Sequence, residues 1–337
     1  IGCVVTTAAL SVTGPDTLLL TVILVIVSSV CFGLGESTIA SFLPDLAEPS
    51  AIGKISGWGW GLGYFGGMLT LGLSIAWLMS SPGRGMTAAQ SVPQTMLITA
   101  IIFGLSSIPT FALLRERGAR GALVSRHVAG ERTGSTFRAS LAALRHLPDL
   151  HRLLWCTVLY QSGISVVISL AAVYASQQMG FNQVDTMLLV FAVNIASAAG
   201  ALAFGPFQDR SGHVRALAVT LIGWVLMTLL AGLGESRTTF WVAAALAGLC
   251  MGASQSGGRA MVGLLAPPER LAEFFGLWSL AVRVAAIVGP LAYGLITWAS
   301  DGQHRLAIMS TGVFFLGGLW VLRGLDIERG RKAALQF

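Results

Sequence analysis

The sequence predicts an all-α integral membrane protein, and three observations carry that prediction. Hydrophobic residues make up 54% of the chain and charged residues only 11%, with a mean hydropathy of +0.75; a soluble domain carries about 25% charged residues. Apolar runs of about 20 residues recur along the whole length, each enough to cross a hydrocarbon core of roughly 30 Å. Positive charge is concentrated in alternate connections between those runs.

Taken in order, the runs place spans at 18–43, 56–79, 95–114, 153–176, 186–207, 216–233, 239–265, 272–299 and 306–323. Residues 1–12 read as the end of an earlier span, giving nine full spans and part of another. The chain opens inside an apolar run without Met or a signal-peptide pattern, so a preceding N-terminal portion is expected. The connections 44–55, 115–152, 208–215, 266–271 and the tail from Arg323 hold sixteen of the 21 Lys/Arg; the opposite set holds Arg84, Arg237 and Arg305. This asymmetry puts the first set in the cytoplasm. The basic excess is thus a topology signal, and a nucleic-acid partner is not expected. Within the long basic connection, STFRASLAALRHL reads as an amphipathic stretch lying along the membrane surface.

The expected organisation is a partial N-terminal bundle over 1–114, a cytoplasmic linker over 115–152, a six-helix bundle over 153–323 and a tail over 324–337. Six spans follow the linker, so equal halves imply a twelve-span parent. A shift of 219 residues aligns Gly33, Ser37, Leu46, Ala47, Pro49 and Gly57 with Gly252, Ser256, Leu265, Ala266, Pro268 and Gly276. Parallel repeats of this kind mark one secondary-transporter architecture.

Polar residues gather in particular spans: Glu36 and Ser37; Tyr160, Gln161, Ser162 and Ser165; Ser254, Gln255, Ser256 and Arg259. Ionisable groups inside a bilayer are costly and turn towards the bundle interior or a wet cavity. Gln255 and Arg259, spaced i, i+4, share a helix face. Arg259 or Arg283 is expected to hold a solute carboxylate or a carboxylate of the protein, for which the guanidinium fork is suited. Two other readings stay open for Arg259: snorkelling to the interface and an ion pair with Glu36. Glu36 in turn has three readings: proton coupling, a gating ion pair, or exposure to a wet vestibule. Asn194 reads as an interhelical hydrogen bond, Trp58 and Trp60 as interfacial anchors, and the glycines of GWGWGLGYFGG and the pair Gly248 and Gly252 as helix-packing positions.

The connection GPFQDRSGHVR, with Gly205, Asp209, Arg210, Gly212 and Arg215, resembles the cytoplasmic loop signature of the major facilitator superfamily. Glycine in this connection would permit a tight turn, and Asp209 would satisfy a neighbouring helix N-terminus, a contact suited to a conformational latch. FLPDLAEPSAIGKISGWGWGLGYFGG, LYQSGISVVISLAAVYASQQMGF and SQSGGRAMVGLLAPPERLAEFFGLWSLAVRVAAIVGPLAYGLI are similar, in order, to helices four–five, seven and ten–eleven of its vacuole-effluxer (autophagy-related permease) family. Gln161-Ser162 depart from that family's frequent polar or acidic pair, which puts an acidic proton-coupling role there in doubt. The resemblance implies a major-facilitator-type bundle and a secondary active transporter of small polar solutes, amino acids among them; the fungal members are vacuolar amino-acid exporters.

A transport-inactive sensor or scaffold and proton-coupled efflux of another small organic molecule remain alternatives. An enzyme is not expected: the five histidines fall in connections or at their edges, the four cysteines are scattered singly, and no phosphate-binding GxxxxGK[ST] run occurs. The expected partners are a small-molecule solute, protons as candidate coupling ion and the lipid bilayer, with no cofactor or metal. The chain is expected to be monomeric, in a bacterial plasma membrane, with the 115–152 loop and C-terminus cytoplasmic.

Overall fold

The computed structural model describes residues 1–114 and 133–337, so the 115–132 part of the basic linker lies outside the described residues. Every regular element among the described residues is helical: α1 (Gly2–Ala9), α2 (Leu18–Ser41), α3 (Leu43–Leu46), α4 (Ile52–Ser80), α5 (Ala88–Leu113), α6 (Thr133–Ala143), α7 (Pro148–Met179), α8 (Gln183–Ser211), α9 (His213–Leu233), α10 (Arg237–Leu265), α11 (Leu271–Ala299), α12 (His304–Ser310), α13 (Gly312–Leu322) and α14 (Ile327–Gln336), with short 3₁₀ turns between. A helix satisfies all its interior amides internally, as lipid requires. Eight helical segments are long and apolar enough to cross a membrane. α10, the expected span 239–265, is also 29 residues long, but it is not among those eight, and it carries the polar run 254–259. The expected last span is two helices, α12 and α13, meeting at Thr311.

The chain forms two compact units, Ile1–Ile39 with Gly66–Ser125, and Ala40–Phe65 with Arg126–Phe337. In the first, α1 packs on α5, Thr7 and Ser28 share a 2.9 Å hydrogen bond, and Trp77 donates to Gln94 at 3.0 Å. Large apolar side chains such as Ile26, Val30 and Phe111 stand exposed, as lipid-facing positions do.

The second unit is built on close helix contact. α8 and α10 form its most extensively packed pair. A Cβ on Gly252 would lie 1.8 Å from the Ser197 carbonyl oxygen, and one on Gly200 2.1 Å from that of Leu249. The first part of α4 presses on the continuation of the same stripe of α8, where a Cβ on Gly57 would meet the Ala201 carbonyl oxygen at 2.3 Å. Small residues are what allow backbones to approach so closely. Gly205 lies inside α8; a Cβ there would meet the Gly53 carbonyl oxygen at 2.7 Å. The tight turn is made by Gly212, at φ 93°, where glycine alone is unstrained.

At the end of α6, Ala143 joins the core of the unit, with Leu144 and Leu147 beyond it, while Arg138, Leu141 and Arg145 are exposed. The tail is held just as firmly. Asp149, fully buried at the start of α7, accepts from the Asp326 amide at 3.0 Å, from Arg329 Nε at 2.8 Å and from the Arg329 terminal nitrogen. Paired, charge-assisted bonds of this geometry are among the strong ones. Arg329→Ala is expected to free α14: limited proteolysis should remove residues beyond 326 at least tenfold faster than in the wild type. Equal rates would mean that the ion pair does not hold the tail.

Candidate functional site

Six consecutive residues of α10, Ser254 to Arg259, form a polar belt at the centre of the second unit. Neighbours on a helix are 100° apart, so a run of six faces every direction, and each direction holds another helix. Ser254 accepts from Trp224 Nε1 of α9 at 3.4 Å. Gln255 Oε1 accepts from Gln161 Nε2 of α7 at 2.6 Å. The Ser256 carbonyl accepts from Ser56 of α4 at 2.7 Å, and the Gly257 carbonyl from Gln208 of α8 at 3.2 Å. Gly258 has no side chain because the Tyr160 hydroxyl occupies that place, with Trp278 Nε1 of α11 close by. Arg259 donates to Ser56 twice, from Nε to the hydroxyl at 3.2 Å and from a terminal nitrogen to the carbonyl at 3.1 Å. The guanidinium and the amide oxygen are therefore both engaged by neighbouring helices.

One further layer lies at the basic end of the unit. α4 begins after Ala51, a residue with no side chain to cap the first amides, which lack intrahelical acceptors. Asp209 of α8 supplies the cap from a different helix: Oδ1 accepts from the Gly53 amide and Oδ2 from the Lys54 amide, each at 2.8 Å. The carboxylate also sits at the positive end of the helix dipole. Asp209, Ser56 and Gln255 thus mark three successive layers joining α4 and α7 to α8 and α10.

Beyond the Gln255 layer the packing opens into a cavity of about 450 Å³. One stripe of α10 from Phe240 to Gln255 forms a wall about 22 Å long, faced by α7, α8, α9 and the side chains of Trp60 and Tyr64 from α4. The lining is mainly Ala, Val, Ile and Met; Trp60, Tyr64, Tyr174, Asn194 and Gln255 add polar groups, and no charged residue is present in it. Tyr174 is already engaged with the Ala231 carbonyl at 2.7 Å. Such a space suits a solute with an apolar body and a small polar head.

The sequence-derived candidates fall into three groups. Gln161, Gln255 and Arg259 come together in the belt, though only Gln255 lines the cavity. Tyr160 is fully buried beneath Gly258. Arg283 is exposed on α11 and is not part of the cavity wall, and Glu36 is half-buried on α2 in the first unit. Of the signature residues, Asp209 makes the cap, Gly205 the helix contact and Gly212 the turn, while Arg210 and Arg215 are exposed. Two smaller expectations change. Asn194 donates to Val190 of its own helix at 2.8 Å, not across helices. Trp60 lines the cavity, whereas Trp58 is exposed under Lys54 at 4.8 Å. Ser56, Gln208 and Tyr64 are site residues that the sequence reading passed over; the spacing of Ser56, Trp60 and Tyr64 at i, i+4, i+8 was the available signal.

Known proteins agree with this architecture. The family described as "Vacuole effluxer Atg22 like" matches residues 1–335. An MFS-type transporter of Bacillus subtilis, YxiO, is 24% identical over 99% of this chain and 77% of its own length. Autophagy-related protein 22-1 of Aspergillus fumigatus is 24% identical over 84% of this chain but 49% of its own length, so the chain spans about half of that fungal relative. Among solved structures, the Escherichia coli fucose:proton symporter FucP superposes with a TM-score of 0.73 at 13% identity, covering 96% of this chain and 83% of that one. The human organic anion transporter MFSD10 gives 0.71 at 17%, covering 95% and 75%. At these identities the likeness is one of fold. The helical bundle, the Asp209 loop and the family match over nearly all of its length make this chain a multi-pass, non-enzymatic member of the Atg22-like vacuole effluxer family, with the fold of major facilitator superfamily transporters.

Proposed function

We propose that the protein is a secondary active transporter of amphipathic small solutes of the amino-acid class, working by alternating access. The observation that carries this reading is a cavity sealed at one end by separable polar contacts: Gln161–Gln255, Ser56 with Ser256 and Arg259, and Asp209 on the α4 amides. Hydrogen bonds between helices can break and reform as units, which a covalent or wholly apolar seal does not do. Within the small polar solutes expected from sequence, the uncharged, largely apolar lining favours one with an apolar side chain. In this reading Asp209 is the latch and Arg259 holds the seal. The coupling ion is the proton, the protein acts as a monomer, and the basic end faces the cytoplasm of a bacterial plasma membrane, as the Lys/Arg asymmetry favours.

The test is uptake of a labelled amino-acid mixture into liposomes carrying the reconstituted protein, with and without an imposed pH gradient. Gradient-stimulated flux is expected, falling at least tenfold in Arg259→Ala, which removes both Arg259 bonds to Ser56. Flux unchanged by the mutation would remove Arg259 from the cycle. Solute binding without flux would favour the sensor reading.

A further inference from the structure

We propose that Trp60 is the inner gate of the cavity, a single indole that must turn aside before solute passes the seal; this rests on the transporter reading above. Three observations place it there. The ring, like Gln255, forms part of the cavity lining, with Tyr64 one turn further along, ring centres 5.9 Å apart. Behind it, the Arg259 guanidinium lies 5.8 Å from the ring centre while bonded to Ser56. The indole therefore separates the cavity from the bonded layer.

Its attachment differs from that of every layer behind it. Ser56, Gln208 and Asp209 are fixed by hydrogen bonds between helices. The indole N–H of Trp60 is buried without any acceptor, a condition that native interiors rarely tolerate. The ring is thus held by packing and by the cation above its face, contacts that weaken smoothly as a ring rotates. An orphaned donor also favours any rotamer in which it meets an acceptor, so the closed position is the one that solute or unit movement can readily displace.

The local sequence supplies the room. Trp60 stands in GWGWGLG, flanked by Gly59 and Gly61 and followed by Gly63. Gly59 lets Arg259 lie against α4, since a Cβ there would come within 2.9 Å of its terminal nitrogen; nothing lies within 4 Å of the corresponding point on Gly63. Trp58, two residues earlier and on the opposite face, is 46% exposed, so only the second tryptophan of the pair can serve. The two seals then open in order: Trp60 first, then the Ser56 and Asp209 layers, so that solute is never in contact with both sides.

The test needs no knowledge of the solute. In a variant with the four native cysteines replaced, a thiol is introduced as Ser56→Cys, one turn behind the indole, or as Met251→Cys, on the cavity wall. A membrane-impermeant maleimide is then applied to the purified protein. Met251→Cys is expected to label readily in every background. Ser56→Cys should be protected with Trp60 present and label at least tenfold faster when Trp60→Ala is added, with Trp60→Phe, which keeps a ring, remaining within about threefold of the parent. A Ser56→Cys rate unchanged by Trp60→Ala, in protein that is monodisperse and labels at Met251→Cys, would overturn the gate. Equal opening by Trp60→Phe and Trp60→Ala would also overturn it, because the ring would not be the plug. Failure of every amino acid to move, with the labelling contrast intact, would sink the transport reading and leave the gate standing.

Discussion

Asp209→Ala is expected to release the N-terminus of α4. Two backbone amides, Gly53 and Lys54, lose their acceptors together, and Ala51 offers no replacement cap. Loss of an N-cap side chain costs about 0.5–2 kcal/mol, and a charged acceptor on two amides belongs at the upper end of that range. If this contact exists in only one of the alternating states, about 2 kcal/mol moves their ratio by roughly thirtyfold. Hydrogen exchange should report the change directly: amides 52–55 should exchange at least tenfold faster, while those of α10 stay protected. Transport should fall by a similar factor, because a cycle that cannot hold one of its states is slowed. Asp209→Asn keeps an acceptor oxygen without the charge and should lie between. Unaltered exchange at 52–55 in Asp209→Ala would mean that the carboxylate does not cap α4 in the membrane.

Gly252→Val is expected to be the most damaging single change. Its Cβ would lie 1.8 Å from the Ser197 carbonyl oxygen and 2.7 Å from the Ala201 amide nitrogen. Both are backbone atoms in the middle of α8, so no side chain can rotate out of the way, and α8 and α10 would have to separate. Overpacking usually costs about 1–3 kcal/mol, and a backbone collision along the principal helix pair should reach or exceed the top of that range. The expected result is loss of the monodisperse peak on size-exclusion chromatography, or a markedly lower Tm. Gly63→Val is the matched comparison. It lies on a membrane helix too, but nothing stands within 4 Å of its Cβ position, and its Tm should remain within a few degrees of the wild type. Equal loss in both variants would mean that helix propensity, not close approach, governs these glycines.

Much of this architecture is legible in residues alone because the bilayer imposes a strong rule. A segment that crosses lipid must be long, apolar and helical, so the runs around 18–43, 153–176 and 272–299 announced α2, α7 and α11 with only their ends in doubt. The ends of α7 lie outside the expected 153–176 because the helix, from Pro148 to Met179, continues past the apolar run into polar turns. The belt was half legible. The shared face of Gln255 and Arg259 follows from helical spacing, but Ser256 and Gly257 act through their carbonyls, and backbone atoms leave no mark on residue identity.

Composition, periodicity and charge asymmetry set the class of this protein, its span pattern and the polar character of 254–259, since each of these depends on one helix meeting its solvent. Partner choice could not be set in that way. Gly205 looks the same whether it makes a turn or admits a neighbouring helix, and Trp60 and Trp58 are identical residues two positions apart. Their different fates, cavity wall and exposed surface, depend on which helix arrives on each face of α4. That information is spread over α8 and α10, more than a hundred residues away in the chain, and becomes local only when the helices pack.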